Sequence, residues 1–85
     1  MKILIAISPE HYDRLLSEFT EESRIYAILK NGLVIHHFDA GNEFRTVEIL
    51  CDKFHARMIL AAAEIHCPEA VPEIEEAIRI SRALH

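Results

Sequence analysis

Cys51 and His55 stand four residues apart, and His66 and Cys67 are adjacent fifteen residues further along the 85-residue chain. Thiolate and imidazole are both good zinc ligands, and an i, i+4 spacing sets two of them on one helical face. A Cys–His pair is also the heart of a nucleophilic site in which the imidazole takes the thiol proton. The helix start read at Asp52 favours a lowered pKa at Cys51, which makes the Cys51/His55 pair a candidate reactive thiol.

Spacing limits both chemistries. Residues 52–66 read as one helix, and at 1.5 Å per residue its ends lie more than about 20 Å apart. Zinc–ligand bonds are about 2.0–2.3 Å long, so the two pairs cannot close one tetrahedral site within a chain. The same separation rules out a Cys51–Cys67 disulfide. A two-ligand half-site completed by a second chain survives as a metal-dependent reading. For Cys51 no orienting third group and no oxyanion hole can be read, and the plainer alternative is a small buried residue in an apolar setting. No catalytic residue, metal ligand or cofactor is assigned from the sequence.

The third candidate is His36-His37. Neighbouring residues of a strand point to opposite faces, so these two cannot chelate one ion side by side. With Arg45 and Glu48 across the expected hairpin they read as a polar contact patch for a small molecule or a protein, or simply as a solvated sheet face. The carboxylates of Glu10, Asp13, Glu18, Glu21, Glu22, Glu73, Glu75 and Glu76 lie mostly in helical first turns and on polar faces, where the helix dipole favours them. None is spaced as a general acid–base pair. Gly32 and Gly41 are single turn residues, not a phosphate-binding loop.

The elements that must position these groups follow from periodicity. The isoleucine-rich run 2–7 predicts a buried strand. Ser8 offers an N-cap oxygen and Pro9 suits the first helical position; Tyr12, Leu15, Leu16 and Phe19 then form one apolar stripe. Residues 20–32 have two readings. As a helix, Thr20 caps it, Ile25, Ile28 and Leu29 form its stripe, and Gly32 supplies a left-handed terminating residue. As a strand, Arg24 to Leu29 pairs with 33–38 across Asn31-Gly32. Start and stop signals agree for the helix, which is the reading adopted.

Residues 33–38 and 44–50 predict an antiparallel hairpin about Asp39-Ala40-Gly41-Asn42, with Val34 opposite Val47 and His36 opposite Arg45. Asp52 caps the next helix, whose unbroken apolar stretch Met58 to Ala63 predicts burial by neighbours on more than one side. Pro68 stops it. A last helix begins near Pro72, with Ile74, Ala77, Ile78 and Leu84 on one face and its bases, Arg79, Arg82 and His85, at its end.

Length allows one domain, 1–85, and the 51% hydrophobic fraction is too high for disorder. A formal charge of −5 without a lysine or arginine cluster makes nucleic acid a poor partner. The apolar opening stops at Ser8-Pro9, too short for a secretory leader, and no run approaches a membrane span. Two cysteines as reduced thiols fit the cytoplasm. The sequence therefore predicts a small soluble α+β domain, a three-stranded sheet (four-stranded if 24–29 is a strand) with its helices on one face. Such a sheet leaves a face and its edges bare, which predicts a homodimer. The function expected is a non-enzymatic interaction or regulatory module. The alternative is a small enzyme whose site forms at a dimer interface around Cys51/His55 and His36/His37.

Overall fold

Strand β1 (Lys2–Ile7) alternates between exposed and fully buried positions, as a strand with one covered face must. The structure, a computed structural model, describes residues 2–83; Leu84 and His85, read above as the end of the last helix, lie outside them. Two further strands, β2 (Leu33–Asp39) and β3 (Asn42–Asp52), complete an antiparallel sheet of order β1-β3-β2. The expected register holds: Val34 faces Val47 and His36 faces Arg45. The long central β3 pairs Ile5 with Ile49 and Leu4 with Leu50 on its other side. The described residues thus form a small α+β fold, with three strands rather than four.

Among the described residues four helices cover one side: α1 (Pro9–Leu16), α2 (Arg24–Lys30), α3 (Lys53–His66) and α4 (Val71–Ala83). Ile3, Ile5 and Ile7 of β1 and Val47, Ile49 and Cys51 of β3 point into this layer. There they meet Leu15, Leu29, Ile59, Ala63 and Ile74 in one continuous core. A single 3₁₀ turn at Pro68–Ala70 links α3 to α4, so Pro68 does end α3.

Several local expectations are corrected. Ser8 occupies the N-cap position, yet its hydroxyl makes no capping bond and is buried without a partner among the described residues. Glu73 of α4 serves the start of α1 instead: one carboxylate oxygen accepts from the Ser8 backbone N–H at 3.0 Å, and the other meets His11 Nδ1. A carboxylate there also satisfies the positive end of the helix. Helix α2 is capped by Ser23 rather than Thr20, because the Ser23 hydroxyl accepts from Tyr26 N–H at 3.0 Å. Glu21 and Glu22 therefore precede the helix and do not lie in its first turn.

Gly32 is not left-handed. The Leu29 carbonyl accepts from Gly32 N–H and from the Tyr12 hydroxyl, which tightens the end of α2 without a positive φ. A Cβ at position 32 would lie 2.8 Å from a Val47 methyl and 3.2 Å from the Tyr12 ring, so glycine is there for closeness. Helix α3 is covered on one stripe, Ala56, Ile59 and Ala63, while Met58 and Ile65 are exposed. Its apolar circumference does not mean burial on several sides, because the helices form only one layer.

The β2–β3 turn is a two-residue loop, Ala40-Gly41, with φ of 52° and 83°. Two positive φ values suit the mirror-image turns that follow the twist of a hairpin, and alanine is a poor residue for that region. Ala40→Asn is expected to stabilise the protein by about 0.5–1 kcal/mol, read as a raised midpoint of urea unfolding.

Candidate functional site

The end of β3 and the start of α3 bring an acid and a histidine together beside a cavity. Asp52 is the N-cap residue of α3, and its Oδ1 accepts from the His55 backbone N–H at 2.7 Å. The same oxygen lies 2.9 Å from His55 Nδ1, so one carboxylate both caps the helix and orients the imidazole. His55 is well buried, with 14% of its side chain exposed. The ring also meets Phe54 edge-on, with centroids 5.5 Å apart.

A cavity of about 430 Å³ opens beside this pair. Phe19, Ile25, Phe54 and Met58 form its apolar walls, and Ser23 and Arg24 stand with Asp52 and His55 as its polar lining. Sequence reasoning found Asp52 as a cap and His55 as a partner for Cys51, but it missed their pairing with each other. The i, i+3 spacing of an acid and a histidine at a helix start was the available signal.

Hydrogen bonding from the His55 backbone is the main cause holding the Asp52 carboxyl below its ordinary range. A lowered acid pKa contributes stability above its unfolded value and loses it as pH falls through the folded value. Asp52→Ala is thus expected to be less stable than the natural chain at pH 7. The gap should close below about pH 4, the range of an ordinary aspartate, when urea midpoints are compared across pH.

Cys51 is on the core side of β3. Burial, with the Asp52 charge second, pushes its thiol up to about 11. The lowered pKa expected from the adjacent helix start is therefore outweighed by desolvation. At pH 8 the folded chain should react with iodoacetamide at Cys51 roughly 100-fold more slowly than the denatured chain does, because only the thiolate attacks. Mass spectrometry of a quenched time course checks this.

The other candidate residues are dispersed. His66, at the far end of α3, lies 3.2 Å from a Glu18 oxygen, while Cys67 is buried and free. Among the described residues no three His, Cys, Asp or Glu side chains gather as a metal site would need. The histidines of β2 are divided by the sheet. His36 shares the helix-side face with Arg45 and pairs with Glu43 at 2.6 Å. His37 is on the opposite face, bonded to Thr46 Oγ1 at 2.9 Å and stacked on Phe44 with ring centroids 4.7 Å apart. Glu48 shares the face of His37 and Arg45 that of His36, so the four expected patch residues form two surfaces instead of one. From Arg45 to Cys51 is six residues of strand, about 20 Å, which keeps the β2 histidines away from Cys51 within one chain.

No helix among the described residues is long and apolar enough to cross a membrane. Comparison of the chain with known protein families, with curated proteins and with solved structures gives no match. The class that fold and surface define is a small α+β domain with a one-sided helical layer.

Proposed function

We propose that the protein is a non-enzymatic, cytoplasmic interaction module that associates with a second copy of itself through the uncovered face of its sheet. The observation that carries this is the chemistry of that face. With every helix on one side, the other side presents Leu4, Leu33, Leu50 and Phe44 with 52%, 67%, 61% and 51% of their surface exposed. Ile35 and the stacked His37 continue the surface along β2. Apolar patches above a few hundred Å² on small proteins mark contact surfaces.

The hairpin carries further uncovered apolar surface. Towards its turn, β2 and β3 run on without β1, and Val34 and Phe38 are exposed even on the helix side. A two-stranded ribbon by itself is marginal in water, so a neighbour that covers it contributes stability. Sheet-on-sheet packing about a two-fold axis would satisfy both needs, because such an interface places the same patch on each partner.

Native mass spectrometry and light scattering of the untagged protein, purified without chelator, test the reading. A bare dimer is the expected result. A monomer across the accessible concentration range, or a dimer seen only with a retained metal or small molecule, would overturn it.

A further inference from the structure

The geometry points to a second, independent site: the cavity beside the Asp52–His55 pair binds a small apolar carboxylate. It belongs to the helix side of the sheet, away from the face proposed for self-association, so either reading can fail without the other. Four side chains from three parts of the chain, Phe19, Ile25, Phe54 and Met58, give the cavity walls that suit an aromatic or branched aliphatic body. Its volume of about 430 Å³ admits a ligand of that size.

The polar lining sets the head group. Arg24 makes no ion pair among the described residues, although the chain carries a net charge of −5. A guanidinium presents a planar set of donors that matches a carboxylate. Elsewhere in the lining Asp52 engages His55 through Nδ1 and leaves Nε2 with no hydrogen-bond partner among the described residues. Asp52 Oδ1 is engaged by the His55 backbone N–H and ring, and Arg24 is the cavity's cation without an ion-pair partner among the described residues. A carboxylate with an apolar tail meets the Arg24 guanidinium and the apolar walls.

The test is a titration of the ¹⁵N-labelled protein with 3-phenylpropionate, followed by amide chemical shifts. Saturable shifts confined to residues 23–25 and 52–58 are expected, with a Kd on the order of 1 mM for a ligand this small. Arg24→Gln should weaken binding about 10-fold, and the uncharged 3-phenylpropanamide should bind the natural chain as weakly as the acid binds that variant. Phe54→Ala, at an exposed wall position, should weaken both compounds while the spectrum reports an intact fold. Absent or unsaturable shifts would overturn the inference. So would equal affinity for acid and amide, or shifts gathered instead at a separate cavity between α3 and α4 that is lined by Arg57, Arg79 and Arg82.

Discussion

Ile49→Ala is expected to lower the free energy of unfolding by about 2–5 kcal/mol, and Ile49→Val by about 1 kcal/mol. Ile49 is fully buried in the central strand, opposite Ile5, where the sheet meets the helical layer. Removing its outer carbons loses transfer energy and leaves a cavity that neighbours on a paired strand cannot collapse into. A chain of 85 residues has roughly 4–13 kcal/mol of stability in all, and small domains fall toward the low end. The alanine variant should therefore show a measurable unfolded fraction without denaturant. Urea unfolding followed by circular dichroism checks this, with the valine variant fixing the slope and an unchanged m-value showing that the unfolded reference is the same. A loss below about 1 kcal/mol for alanine would mean that the core does not close around β3 as described.

Why some elements were legible in the sequence and others were not is visible at particular residues. Strand β1 announced itself because Ile3, Ile5 and Ile7 are all core, and the hairpin register followed from a turn of fixed length at Ala40-Gly41. Asp52 was readable as a cap because its bond is local, three residues ahead to His55. Contacts between distant segments were not readable. Glu73 replaces the Ser8 hydroxyl across 65 residues, and nothing in the neighbourhood of either residue signals the exchange. Gly32 satisfied the sequence rule for a helix terminator, but its small size is required by Val47 and Tyr12, which only the tertiary fold brings near.

The candidate site divides along the same line. His55 was identified for its chemistry as a companion of Cys51, and its pairing with the capping carboxylate of Asp52 went unread, because a neighbouring thiol in sequence is a more obvious companion. The walls of the adjacent cavity come from the α1–α2 connection and from α2 and α3, so no spacing within one segment encodes them. The Cys51 thiol shows the same thing in electrostatic form. A helix start was legible and pointed to a lowered pKa, whereas the burial that raises it to about 11 is a property of the assembled core.

One residue beyond Ile49, the expected outcome is reversed. Leu50 faces away from the helices, opposite Leu4 in the exposed layer of the sheet. Leu50→Glu should change the stability of a monomer little, because the side chain is already largely in water. In a two-fold dimer packed through that face it places a second carboxylate per protomer, beside Glu48, among the apolar side chains Leu4 and Leu33. Each must be desolvated without a partner, and the two repel if the axis passes near them. The dimer Kd is then expected to rise at least about 100-fold, since each 1.4 kcal/mol is a factor of ten and two groups are affected. Phe38→Glu is the control, being more exposed still, at 77%, but on the opposite face of the hairpin. Sedimentation velocity over a concentration series separates the cases. Dissociation by Leu50→Glu alone locates the interface on the uncovered face. Dissociation by Phe38→Glu alone moves the contact to the helix side of the hairpin. An unchanged dimer in both variants would reject sheet-on-sheet packing altogether, because no such arrangement can bury Leu50 and remain indifferent to its charge.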